Sequence, residues 1–290
     1  MIDAHHHLWD LNAVNYPWLM EKGKRRFFGD PTPIQRNYLI DEHIKLANEL
    51  GFKGSVHIQV GAADGLEEAQ WINSVVNENQ SWPMVQVAFC DLSSDQRELH
   101  LDKLQKLSSV VGVRQIIGRS PAEDANSKTN ELLTSDNFMQ GLQSISDRGL
   151  TFDLQIIPEL LKTCASVFSQ FPNLQVILCH AGSPYNRTLG GIKSWADDLI
   201  HLSNLSNVSC KLSGLGMFDH NWTGSTVAPI VTTVMDQFGS KRVMFGSNFP
   251  VDSLSSSFEQ LFTRLSSNID EKDFEDVFSK TAQRIYFSNF

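Results

Sequence analysis

Ile2-Asp3-Ala4-His5-His6-His7-Leu8-Trp9 is the stretch on which the fold turns. It reads as a short buried strand whose end is crowded with imidazoles. An open doubly wound sheet would place a glycine-rich phosphate-binding turn directly after its first strand, and this turn contains no glycine. Outward from it, one pattern repeats: a β-branched apolar run, turn residues, then helical periodicity. The runs predict strands at Ile2–His7, Ser55–Val60, Met84–Cys90, Val110–Ile116, Leu150–Ile156, Leu174–His180, Asn207–Ser213 and Arg242–Ser247. Helices are expected at Asp41–Leu50, Leu66–Asn79 (N-capped by Asp64), Asp95–Leu107, Phe138–Ser146, Ile157–Gln170, Gly191–Leu202 and Val227–Phe238. Eight strands alternating with helices predict a parallel sheet, and eight is the number that closes a barrel. The expectation is therefore an α/β chain folded as a (β/α)8 TIM barrel, with residues 1–290 forming one domain.

Composition agrees. A chain of 290 residues that is 41% hydrophobic can bury a large core and falls within the usual length of one barrel. No apolar run approaches the roughly 18 residues needed to span a bilayer. The first residues have neither a basic region nor an apolar one, so a cytoplasmic location is the expectation. A net charge of −9 argues against nucleic acid or an anionic membrane as a partner. It leaves room for a small anionic ligand held by a few pocket cations. The four cysteines form no CxxC pair and read as reduced, mostly buried thiols. The sequence leaves a homo-oligomer open.

Two segments break the rhythm. Leu11–Ile40 follows the first strand and Gly118–Asp136 the fourth, on the face where barrels place their sites, so both are expected to wall or cover a pocket. Polar residues at the strand ends supply the chemistry. Period-two spacing points His5 and His7 to one side, with His6 turned outward toward the helices. His180 closes an apolar strand before Ala-Gly and should stand at the barrel mouth. Gln59 is expected to touch substrate, with His57 facing the same way but deeper. Arg114 and Lys211 are cations inside strands, costly unless paired or facing a ligand. Arg114 either pairs with Asp153 on the next strand or, with Lys211, holds a carboxylate and polarises a carbonyl. His43, His100 and His201 are read as surface residues, and His220 as within reach of the pocket.

Six segments in order, Ile2–Trp9, Gly112-Val113-Arg114, Phe152-Asp153-Leu154-Gln155, His180-Ala181-Gly182, Lys211-Leu212-Ser213-Gly214 and Phe245–Val251, resemble the amidohydrolase-related (amidohydrolase 2) family. The likeness is to its branch of sugar lactonases and 2-pyrone-4,6-dicarboxylate lactonase, and it spans nearly the whole chain. It implies an amidohydrolase-like barrel that hydrolyses a sugar-acid or dicarboxylate lactone. Carried over residue by residue, it places the family's strand-one His-x-His on His5 and His7, its strand-six histidine on His180 and its strand-eight acid on Asn248. With the strand-end reading, the candidate catalytic residues are His180, Lys211, Arg114 and Asn248, and the candidate substrate contacts Gln59, Asp153, Gln155 and Ser213. Asn248 departs from the pattern, since the family usually has an aspartate there and an amide cannot act as a general base near neutral pH. Asp252, four residues on, either turns back into the site or caps the next segment. Strands four and five offer no further metal ligands of the usual kind, so a two-metal centre is not expected. One divalent ion, zinc first, on His5, His7 and His180 is one arrangement the donors allow. A metal-free site is the other. A metal-dependent decarboxylase or hydratase of the same superfamily, and a sugar-acid-binding barrel without catalysis, stand as alternatives.

Overall fold

A computed structural model describes residues 1–288. Eight strands form one sheet in the order β1 to β8: Ile2–His6, Gly54–Ile58, Met84–Ala88, Val110–Val113, Thr151–Leu154, Val176–Leu178, Val208–Leu212 and Val243–Phe245. Every ladder is parallel. The seam between β8 and β1 closes beyond the ladder, where Asn248 N donates to His5 O (2.7 Å) and His7 N to Phe249 O (2.7 Å). The TIM barrel expected from the alternation is the fold observed.

All eight predicted strands exist, but each stops one to three residues short of its expected carboxyl end. At those ends the chain leaves the ladder to aim side chains into the mouth. After β6, for example, His180 and Ala181 adopt left-handed conformations (φ 55° and 52°), which no strand could contain. The helix Gly65–Glu78 begins as expected, with Asp64 Oδ1 accepting from Leu66 N (2.8 Å) and Glu67 N (3.3 Å). Helices at Phe258–Ser266 and Thr281–Tyr286 had no counterpart in the sequence reading. The last of these carries Ala282 and Tyr286 into the apolar plug of Ile2, Ala4, Val56, Val85, Ile177 and Met244 inside the barrel. Among the described residues, no helix is long and apolar enough to cross a membrane. The four cysteines are buried and unbridged.

Behind the β1–β2 wall lies a buried polar layer. His6 points outward as expected and stacks on His43 (centroids 3.9 Å apart). His43 is therefore not a surface residue but fully buried, because its helix turns that face to the barrel. His57 also faces outward, 3.7 Å from Glu68, whereas Gln59 lies beyond the end of β2 and turns into the cavity. Alternation does not survive the end of a ladder, so the two residues part company. Asp3 ties this layer to the seam: its carboxylate accepts from Ser247 N (2.8 Å), Ser247 Oγ (2.5 Å) and His5 N (3.2 Å).

These buried groups set an acid limit on the fold. Burial holds His43 and His57 down to about 3, and keeps His5, His6, His7 and His180 well below 6.5. Once unfolded, each would bind a proton near 6.5, so stability falls as pH drops below that value. Burial also raises Asp3 to about 6 and Glu68 to about 7, which works in the opposite sense. With Asp252 also raised to about 7, three buried acids stand against six histidines and leave a net loss on acidification. Thermal melts from pH 7.5 to 5 should show Tm falling steadily, and a flat profile would contradict this account.

Candidate active site

The carboxyl ends of the strands surround a cavity of about 470 Å³. His7, His180, Asn248, Arg114, Gln59 and Gln155 line its inner part, and Trp18, Phe27, Phe28, Phe89 and Met217 supply apolar wall. Both long excursions contribute, through Arg26 and the aromatics on one side and Arg119, Thr129 and Leu132 on the other. Arg26 and Glu123 join them in an ion pair (3.0 Å). His220 braces the first excursion, with Nε2 2.7 Å from Phe28 O, and does not line the cavity.

Local geometry explains how the histidines converge. Asp3 pairs with Ser55 and His6 with His57, so β1 carries one extra residue, a β-bulge. The bulge lets Ala4 fill the barrel core while His5 packs against His180 (4.6 Å) and His7 (5.1 Å). His5 has both ring nitrogens buried and without a hydrogen-bond partner among the described residues. His7 Nδ1 donates to Ile58 O (2.7 Å), and its Nε2 faces Asn248 Oδ1 (3.2 Å). His180 Nδ1 meets Ser213 Oγ (2.9 Å). Gly214 makes room for it: a Cβ there would lie 2.4 Å from His180 Nδ1, and the backbone has φ +62°. Burial, then nearby cations such as Arg114, holds His7 and His180 well below 6.5, so both rings are neutral at pH 7.

The cations sort differently from the expectation. Arg114 does not pair with Asp153; Nη1 donates to Gln155 Oε1 (3.0 Å) and Nη2 to the backbone oxygen of Gln59. Asp153 is taken by Lys211 Nζ (2.5 Å) and the Tyr286 hydroxyl (2.7 Å), all of it buried. Lys211 and Asp153 thus lie beneath the floor and do not line the cavity, and Tyr286 of the C-terminal helix packs against both. Ser213 and His5 also sit behind the lining. Asp252 turns toward the site without entering it, accepting from Asn248 Nδ2 (3.0 Å), and burial pushes it up to about 7. Arg119 was missed: it lines the cavity with no hydrogen-bonding or ion-pair partner for its guanidinium among the described residues, and only its place in a polar wall segment hinted at it. No carboxylate lines the cavity among the described residues.

Two sets of donors invite a cation. Ligand atoms of His5, Asp153 and Cys179 lie within 4.8 Å of one another. Lys211 already neutralises Asp153, and the Cys179 thiol is pushed up to about 12, so that set suits a dication poorly. The neutral rings of His5, His7 and His180 suit a dication better in chemistry, since His5 is otherwise an orphaned buried polar group and Nε2 of His7 bears a lone pair. Their ring nitrogens, however, do not gather within 4.8 Å of one another as the ligand atoms of the first set do.

A family model described as Amidohydrolase matches residues 2–287. A protein of Sinorhizobium fredii, y4mH, of no assigned activity, is 32% identical over 266 residues, covering 90% of this chain and 89% of its own. A protein named L-fucono-1,5-lactonase from Burkholderia multivorans is 22% identical, covering 90% of this chain and 85% of its own. Among solved structures, an amidohydrolase from Burkholderia multivorans crystallised with bound zinc superposes with a TM-score of 0.84 at 22% identity, over 99% of this chain and 98% of that one.

Proposed function

We propose that this chain, which belongs to the amidohydrolase family, is a hydrolase of small lactones that carry a carboxylate. One observation carries the reading. Neutral His7, which meets Asn248, and neutral His180 line a cavity that has guanidinia but, among the described residues, no acid in its wall. In a chain of net charge −9, a cavity lined by Arg114 and Arg119 without a facing carboxylate favours an anion. The lactonase relative supports ring opening, and the aromatic wall suits a flat ring.

In this mechanism Arg114 and Arg119 bind the carboxylate and align the ring carbonyl over the histidines. His180, with Nδ1 protonated toward Ser213, keeps the Nε2 lone pair and takes a proton from water as its oxygen attacks the carbonyl carbon. Arg114 steadies the oxyanion, the ring C–O bond breaks, and His180 returns the proton to the leaving oxygen, giving a hydroxy acid. Lys211, given that role from the sequence, is left with holding the floor. His5, His7 and His180 would hold a zinc ion; bound there, it would polarise the carbonyl and acidify the water.

Proton release on a panel of neutral and carboxylated lactones tests the reading. Turnover should favour the carboxylated members, and Arg119→Ala should raise KM for them by about tenfold, the equivalent of ~1.4 kcal/mol, with little change for neutral rings. Carbon dioxide release without ring opening would point to the decarboxylase alternative.

A further inference from the structure

Asn248 stands where a carboxylate was expected, and its surroundings leave little choice about its orientation. Ile58 O can only accept, so His7 Nδ1 carries the proton and, in the neutral ring, Nε2 is a lone pair. That lone pair meets the Asn248 oxygen, another acceptor, at 3.2 Å. On the other side of the amide, Nδ2 lies 3.0 Å from Asp252 Oδ1. Turning the amide over would give His7 a donor but would lose the hydrogen bond from Asn248 Nδ2 to Asp252 Oδ1 and set two oxygens against each other there.

The backbone supports the pair. Asn248 has φ 55° and its N–H is bonded to His5 O, while Asp252 N donates to Asn248 O (3.1 Å). One short turn therefore sets the two side chains against each other. Asp252 is 2% exposed, and Asn248 is its one side-chain hydrogen-bonding partner among the described residues. Its Oδ2 is buried with no side-chain partner among the described residues, the Gly216 backbone lies against the carboxyl group, and Arg187 is a nearby cation.

We infer that Asp252 is a positioning residue that holds the Asn248 amide with its oxygen turned to His7. The two side chains divide the work of one acid: Asn248 presents the oxygen and Asp252 orients it from one step behind. Two lone pairs 3.2 Å apart then form a place for a cation or for the hydrogens of a water. This rests on the cavity being the reaction site, but not on the identity of the substrate.

The direct test is nuclear magnetic resonance on nitrogen-15-labelled protein. An N–H···N contact between Asn248 Nδ2 and His7 Nε2 would give a coupling across the hydrogen bond. That coupling should be absent in the wild type and should appear in Asp252→Ala, where the amide is free to turn; its presence in the wild type overturns the inference. On whichever substrate proves active, Asp252→Ala should lower kcat by about 10–100-fold with KM nearly unchanged. The exchange variant Asn248→Asp/Asp252→Asn, which again places an oxygen toward His7, should recover most of that loss. Wild-type kcat in Asp252→Ala, or no recovery in the exchange variant, also overturns it. If no lactone is turned over, the lactone reading fails while the resonance experiment still decides this one.

Discussion

Asp153→Ala is expected to cost roughly 3–5 kcal/mol of stability, more than any cavity-lining substitution. The reason is the charge left behind. Lys211 is fully buried, its ammonium lies 2.5 Å from Asp153 Oδ2, and the Tyr286 ring lies 4.9 Å from it. Removing the carboxylate strands that ammonium where water does not reach, and frees the Tyr286 hydroxyl as well. Replacing both partners by apolar residues, as in Asp153→Leu/Lys211→Met, should restore much of the loss, because a buried pair offsets its own desolvation only in part. Urea unfolding of the two variants measures this. A cost below about 1 kcal/mol for the single variant would show that the pair is solvated.

The second large effect is on rate. His180→Asn should lower kcat by about 10²–10⁴-fold on any lactone the wild type opens, with stability changed little. His180 is the buried imidazole that both lines the cavity and has a hydroxyl partner on Nδ1, which frees Nε2 for the proton. His180 is held well below 6.5, mainly by burial and then by Arg114, so it stays unprotonated at ordinary pH. The acid limb of kcat/KM should consequently lie below pH 6.5 and move upward when Arg114 is replaced by Met. Ordinary rates in His180→Asn would remove it from the mechanism.

The fold was legible because its signal is local and repeated. Eight apolar runs separated by helical periodicity need no tertiary information to be counted, and the missing glycines after Ala4 excluded the open sheet. Strand ends were not legible. There the chain abandons ladder geometry, as at His180 and Asn248, whose positive φ angles follow from long-range packing and not from residue type. His43 was misplaced for a similar reason: its burial comes from stacking on His6, a residue 37 positions away.

The sequence by itself determined the eight-stranded barrel and the supply of His7, His180, Arg114, Gln59 and Asn248 at the strand ends, while the bulge in β1 that sets His5 behind the lining came with the tertiary structure. Only the tertiary structure decided which cation faces substrate. Arg114 and Lys211 looked equivalent in their strands, but the C-terminal helix brings Tyr286 under Asp153, and Asp153 then claims Lys211. It also decided what Asn248 means, since an amide's direction depends on partners such as His7, 241 residues away. Backbone periodicity is set by neighbours along the chain. The pairing of buried polar groups is set by whatever the closed barrel brings within about 3 Å.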